Sequence, residues 1–429
     1  MIRFVYNLLW PIGLLFFLPS YLVKMLRRGG YRSKFGQRLG LYDVDVRTRL
    51  TGRRSTWIHA VSVGEVAIAL KLAHALRGLE PDLQIDLTTT TTTGFSLAQK
   101  IAPPWIEVMY SPLDFWPIMR RAFLLINPAR IILVEAEVWP NLVAFAHARK
   151  IPVALVNARL SPRSEQRFRR FRFFVGPVFR LVDLICVQEP EDVDRWVALR
   201  ANPAKIKQVG SIKYDPEEIS LDPSMAEKIL RELSIDHARP ILLGGSTHRG
   251  EEEILGQVLT ALREQFPSLF LIIAPRHAER AGEIRRSLEQ RGLRVGLRSR
   301  WRDLGPAIDC LVLDSTGELR NWYGIATVVF IGKSLTAQGG QNPVEPIVAG
   351  RPIIFGPHME NFAALARTLV DHRGAIQIRS EAELKNAIVD LLRDTVLREK
   401  LVSNARSALE PHRGATARTA RLIADLQRN

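Results

Sequence analysis

Apolar positions along this chain take two alternating forms. Short unbroken runs of β-branched and aliphatic residues, at 56–61, 129–134, 153–157 and 184–187, read as strands buried on both faces. A further strand begins at 85–88. Between these runs, apolar residues return every three or four positions over 66–79, 94–101, 141–148 and 191–199, the spacing of helices with one face inward. Strands alternating with helices predict a parallel sheet covered by helices on both sides. The threonine run 88–93 fits as the end of a strand, with Gly94 and a helix after it. The alternation stops over 215–239, which is polar and helical without a strand and reads as a linker. It resumes with strands at 240–243, 269–274, 310–313, 327–331 and 352–355, and helices at 251–265 and 279–291. The expected architecture is α/β: two Rossmann-like doubly wound domains, 29–214 and 240–395, with ligands in the cleft they face, at the C-terminal ends of their strands. A last helix within 396–429 is expected to return to the first domain.

Residues 4–26 form a nearly continuous apolar run broken by Asn7, Pro11, Pro19, Ser20 and Lys24. It approaches the length that spans a bilayer. Lys24, Arg27, Arg28, Arg32, Lys34 and Arg38 follow it and only Arg3 precedes it, so the positive-inside rule puts the body of the protein on the cytoplasmic side. No small-x-small cleavage site follows. The expectation is a membrane-anchor helix over residues 1–28, spanning or lying in one leaflet, and an inner-membrane location. The 429 residues carry 60 Lys plus Arg against 44 Asp plus Glu, a net charge of +16. Such a surface suits phosphates, nucleic acid or an anionic membrane. Arginines interleaved with Phe168, Phe171, Phe173, Phe174 and Phe179 over 163–180 fit lipid phosphate with inserted rings, and with an anchor in the same chain lipid is the more economical partner than nucleic acid. Cys186 and Cys310 each sit in an apolar run and read as buried thiols.

The chemistry gathers where strands end. Gly339-Gly340-Gln341-Asn342-Pro343-Val344-Glu345 joins glycines that admit close approach to a helix start with Asn342 as cap and Pro343 in the first position. Its N–H groups suit a phosphate and Glu345 suits ribose hydroxyls; a capped helix without a ligand reads equally well from this segment alone. His59-Ala60-Val61-Ser62-Val63-Gly64-Glu65 puts a carboxylate, Glu65, at a strand-to-helix turn, placed either to take a proton or simply to complement the helix dipole. Glu135 and Glu137 follow another strand and would share a face if that strand persisted; Lys213 is a plausible partner for them. In the second half, 244–251 offers glycines and hydroxyls to an anion, Arg276 follows a strand and forks well onto phosphate, and Thr316, Gly317 and Glu318 could border a base or ribose. Gly332-Lys333-Ser334 resembles the end of a P-loop but lacks the earlier glycine, since position 327 is Thr. The Asp-x-Asp pair at 43–45 lies in the basic stretch after the apolar run and the pair at 192–194 near a helix start, where Asp is expected anyway; no metal is expected.

Together these segments, with Glu135-Ala136-Glu137-Val138-Trp139-Pro140-Asn141, Asn157-Ala158-Arg159-Leu160-Ser161, Gly245-Ser246-Thr247-His248, Ala274-Pro275-Arg276-His277 and Gly356-Pro357-His358-Met359-Glu360-Asn361-Phe362, resemble the 3-deoxy-D-manno-octulosonic acid (Kdo) transferases of lipopolysaccharide synthesis. The resemblance runs from the N-terminal segment to about residue 365, with Gln341 where that family usually has His. It implies a GT-B architecture, CMP-Kdo as donor substrate, the lipid A precursor as acceptor, inversion at the sugar, and no metal or other cofactor. It also implies Glu65 as general base, with Glu135 and Lys213 steadying the transition state. Pro275, Arg276, Thr316, Gly317, Glu318, Asn342, Pro343, Val344 and Glu345 would hold CMP. Two other readings remain: another nucleotide-sugar transferase or epimerase on the same scaffold, and a basic membrane-surface module without catalysis.

Overall fold

The computed structural model describes residues 3–13, 34–160, 162–216, 221–236, 239–305 and 308–426. The chain divides into two compact units, one of residues 1–215 and 414–429, the other of residues 216–413.

Unit 1 is a seven-stranded parallel sheet: β1 (Ser55–Ala60), β2 (Ile85–Thr89), β3 (Ile106–Tyr110), β4 (Pro128–Val134), β5 (Val153–Ala158), β6 (Leu184–Val187) and β7 (Ile206–Gln208), in the order β3-β2-β1-β4-β5-β6-β7. The alternation in β1 shows why its sequence is apolar throughout. Trp57 enters one helical layer with Met119 and Phe123, while Ile58 and Ala60 enter the opposite layer with Val66 and Leu72. Each large apolar side chain buried this way contributes about 1.5–3 kcal/mol. The second layer is completed from the far end of the chain. Helix Ala415–Asp425 packs on helix Val63–Leu79 and adds Ala420 and Ile423 to that core. Asp215 secures the return, its carboxylate accepting from Gly414 N at 2.9 Å and Thr416 N at 2.8 Å.

Unit 2 is a second seven-stranded parallel sheet: β8 (Ile241–Thr247), β9 (Phe270–Pro275), β10 (Val295–Leu297), β11 (Cys310–Val312), β12 (Val328–Ile331), β13 (Ile353–Phe355) and β14 (Ile376–Gln377), in the order β10-β11-β9-β8-β12-β13-β14. Cys310 is buried here and Cys186 in unit 1, both unpaired.

Three segments differ from the sequence expectation. In the segment read as a linker, 215–239, Asp215 belongs to unit 1, while helix Ser224–Glu232 belongs to unit 2 and buries Ala226, Ile229 and Leu230. The helix expected within 396–429 is two helices. Thr395–Leu409 stays in unit 2, Pro411 falls in a short 3-10 turn, Gly414 takes φ 70°, and only Ala415–Asp425 joins unit 1. In the Phe/Arg segment, Phe179 is buried against Trp196 with ring centroids 5.2 Å apart, and Phe168 packs on the same core. Phe171, Phe173 and Phe174 remain exposed.

At the N-terminus, residues 3–13 are helical. Asn7 donates to Asn141 Oδ1 at 2.9 Å and accepts from Trp116 N at 3.1 Å, and Trp10 stacks on Phe115. Phe4, Leu8, Leu9 and Ile12 face outward. Among the described residues no helix is long and apolar enough to cross a membrane. Residues 14–26 of the apolar run, and Lys24, Arg27, Arg28 and Arg32, lie outside the described residues.

Candidate active site

In both sheets the strand order reverses at one point, the place where folds of this kind bind ligands at the C-terminal ends of the strands. In unit 1 the reversal lies between β1 and β4. The segment leaving β1 turns at once into helix Val63–Leu79, capped by Ser62. Glu65 folds back on this turn, Oε2 accepting from Val61 N at 2.8 Å and Oε1 from Ser62 Oγ at 2.9 Å. The carboxylate is therefore a cap, and it is also 7% exposed. Burial raises its pKa to about 7; the Val61 N–H and the Ser62 hydroxyl work against that rise, while the charges of Glu135 and Glu137 add to it. A carboxylate titrating near neutrality can take a proton in the cell's pH range. The two readings of Glu65 are thus compatible: the cap aims the group and the burial tunes it.

On the other side of the reversal, β4 stops at Val134 and Glu135 takes φ 62°. The strand does not persist, so Glu135 and Glu137 do not share a strand face as the sequence suggested. Burial raises the pKa of both. Lys213 and Arg159 oppose the rise at Glu135, whereas at Glu137 the Glu135 charge adds to it and Arg167 opposes. Lys213 is held low by burial, against the pull of Glu135. Glu65, Glu135 and Lys213, drawn from segments far apart in the sequence, are therefore electrostatically coupled in one place. The backbone before Lys213 is fixed by Asn157, whose Oδ1 accepts from Ser211 Oγ at 3.2 Å and Ile212 N at 3.0 Å. Lys71 Nζ donates to Ile212 O at 3.2 Å and Asp215 O at 3.0 Å. Asn157 stood in a family motif without a role and Lys71 was not singled out, because what each does depends on atoms more than fifty positions away.

In unit 2 the reversal lies between β8 and β12, and the loops there are 248–250 and 332–343. Glu251, fully buried, ties them together, accepting from His248 N at 2.8 Å, Lys333 N at 2.7 Å, Ser334 N at 2.9 Å and Leu335 N at 3.0 Å. Glu252 is likewise engaged, by Thr247 at 3.1 Å and Arg280 at 2.9 Å. Pro275 ends β9 beside Thr247, and Arg276, its N–H on Thr247 O at 2.9 Å, leaves its guanidinium exposed. Thr316, Gly317 and Glu318 form a turn after β11, with Gly317 at φ 90° and Glu318 paired to Arg298 at 2.9 Å. Helix Leu319–Tyr323 follows and brings Arg320 to Glu345 at 3.6 Å, joining two of the predicted donor segments.

The helix expected to begin at Pro343 begins one residue later, as Val344–Val348, with Pro343 in the cap position and Asn342 Oδ1 accepting from Val344 N at 3.0 Å. Asn side chains commonly bond the N–H two residues on, which accounts for the displaced cap. It also thins the anion site read from the sequence. Gly339 N goes to Glu360 at 2.7 Å, Gly340 N to Lys333 O at 2.8 Å, and Val344 N to Asn342. Pro343 and Pro346 have no N–H, which leaves Glu345 as the one backbone donor the first turn can offer.

Among the described residues no three His, Cys, Asp or Glu side chains stand together as metal ligands. The Asp-x-Asp positions serve elsewhere: Asp43 precedes helix Val44–Leu50, and Asp192 closes a capping box and pairs with Arg195 at 2.9 Å.

Residues 33–216 match the family model described as 3-deoxy-D-manno-octulosonic-acid transferase (kdotransferase). The 3-deoxy-D-manno-octulosonic acid transferase of Haemophilus influenzae is 33% identical over 403 residues, covering 93% of each chain. This chain belongs to that family. Another member, from Bordetella pertussis, is 32% identical over 384 residues and 86% of each chain. Membership makes the chain an enzyme, a glycosyltransferase. Among solved structures, a UDP-GlcNAc 2-epimerase from Neisseria meningitidis bound to UDP-GlcNAc aligns over 87% of this chain and 99% of its own with a TM-score of 0.55. At 11% identity that likeness shows the fold alone.

Proposed function

We propose that this transferase moves Kdo from CMP-Kdo to a lipid A precursor, with inversion at the sugar, and that its two units divide the work. The observation that carries the reading is Glu65, buried at the β1 turn with a pKa near 7, on which the charge of Glu135 acts while Lys213 acts in turn on Glu135. A hydroxyl of the lipid sugar attacks the anomeric carbon. The new carbon–oxygen bond forms as the bond to CMP breaks, and its electron pair leaves on the phosphate. Glu65 accepts the hydroxyl proton. Lys213, whose charge acts on Glu135, steadies charge that develops in the transition state. Unit 2 takes the donor, through Pro275, Arg276, the 316–318 turn and Asn342, Pro343, Val344 and Glu345. Arg276 suits the departing phosphate, so the reading calls for no metal. The test is incubation of purified protein with CMP-Kdo and lipid A precursor, read by product mass, with UDP and CMP as competitors. Absence of a Kdo-bearing product, or UDP competing as well as CMP, would overturn the reading.

The same reading places the protein on the anionic surface of the inner membrane, both units on the cytoplasmic side. It is supported by the outward apolar row Phe4, Leu8, Leu9 and Ile12, and by exposed Trp116 and Leu124 on helix Trp116–Ile126, with Arg120 and Arg121 exposed between them. Apolar chains beside arginines suit acyl chains beside lipid phosphate. Replacing Leu8 and Leu9 with Glu should lower co-sedimentation with anionic vesicles. Unchanged binding would remove this helix from the contact.

A further inference from the structure

We propose that Lys333 grips the phosphate of the donor nucleotide. The inference rests on the reading that unit 2 takes CMP-Kdo, and adds to it a residue outside the donor set carried over from the family. Lys333 follows the end of β12, at the reversal of the unit 2 sheet, where such folds bind phosphates. It is the only cation in residues 332–345, and Gln341, just ahead of Asn342, brings no charge.

The backbone of Lys333 is pinned on both sides. Its N–H donates to Glu251 at 2.7 Å and its carbonyl accepts from Gly340 N at 2.8 Å. It is held at φ 54°, a left-handed conformation that non-glycine residues seldom adopt and that persists where the surroundings enforce it. The side chain then lies along the glycine turn: a Cβ built on Gly339 would sit 3.3 Å from Lys333 Nζ. A side chain at position 339, already at φ 130°, would press on that ammonium.

The nearby carboxylates are spent on other partners. Glu251 accepts four backbone N–H groups, Glu360 takes Gly339 N and faces His358, and Glu345 pairs with Arg320. Lys333 makes no ion pair among the described residues. The first turn of helix Val344–Val348 has almost no backbone donors left, so an anion on this loop needs a side chain to meet it. A lysine on a fixed backbone supplies a compact point charge of that kind.

The experiment is titration calorimetry of the full chain with CMP and with cytidine, on the natural protein, Lys333→Ala, Lys333→Arg and Arg276→Ala. Lys333→Ala should weaken CMP about tenfold or more, as loss of a charge-assisted bond does, while cytidine affinity holds and Lys333→Arg retains most of the CMP affinity. Unchanged CMP affinity in Lys333→Ala overturns the proposal. So does an equal loss for CMP and cytidine, which would mean a disturbed loop, and so does Lys333→Arg failing as badly as Lys333→Ala. If the natural protein bound no CMP, the donor reading itself would fall. CMP binding that survives Lys333→Ala but not Arg276→Ala removes Lys333 alone.

Discussion

The two parallel sheets place their loops at the same kind of reversal and fill it with opposite chemistry. At the end of β1 and β4, Glu65, Glu135 and Glu137 crowd together, each carboxylate pushed upward in pKa by burial. At the end of β8 and β12, carboxylates are just as buried but fully engaged: Glu251 holds backbone N–H groups and Glu252 holds Thr247 and Arg280. What is left over there is positive, in Arg276 and Lys333. A fold that can neutralise its own charges in one unit leaves them incompletely compensated in the other. The leftover sign is the one the proposed reading calls for: a proton acceptor in unit 1, an anion holder in unit 2.

The strongest way to break this contrast is Glu65→Gln. Gln preserves an oxygen for Val61 N but cannot take a proton, so turnover should fall by about 10²–10⁴ while CMP affinity stays intact. Undiminished turnover would end the assignment of Glu65 as base. Next is Glu251→Ala, which leaves the N–H groups of His248, Lys333, Ser334 and Leu335 without their acceptor. Unsatisfied buried donors of this kind should cost about 3 kcal/mol or more, seen as a lower urea midpoint for the full chain, with Glu251→Gln milder. A midpoint that did not move would show that the loops do not depend on this carboxylate.

The smallest effect concerns pH. Burial holds the folded pKa of Glu65 at about 7, above the ordinary 4.5. The basic form therefore appears only as pH rises through about 7, and the acidic limb of kcat/KM should lie there and not near pH 4.5. The same raised pKa means that the stability linked to protonated Glu65 is fully present below about pH 4.5 and is lost as pH rises through about 7. Removing the like charge with Glu137→Gln should move the acidic limb to lower pH. A limb that stayed in place would mean Glu137 lies too far away to matter.

The central strands were legible because both of their faces are buried, which writes an unbroken apolar run. Strands β3, β7, β10 and β14 were not, and they are the edges of the two sheets. In β7 only Ile206 of Ile206-Lys207-Gln208 is buried, β10 carries Gly296 in its middle, and β14 is Ile376-Gln377 alone. Edge strands pack against less and are often short and charged, so their pattern fades. Glu65, Glu135 and Arg276 could be picked as candidates because charge at the end of an apolar run stands out. Glu251, Asn157 and Lys333 stood in segments the sequence brought out, but what they do could not be read there, since a carboxylate that accepts the N–H of a residue 82 positions later looks in sequence like any helix-start acid. The Asn342 cap was read one residue early for a related reason: sequence suggests that Asn bonds a nearby N–H but leaves the choice of N–H to the local backbone.

Asp215 carries a consequence of its own. The chain leaves unit 1 at this residue and comes back at Gly414, and a single carboxylate clasps the two points through Gly414 N and Thr416 N. In topological terms everything from 216 to 413 is an insertion in a closed α/β body, whose final helix is a piece of its own wall made last. A ribosome therefore cannot finish the first body until the second has been entirely synthesised.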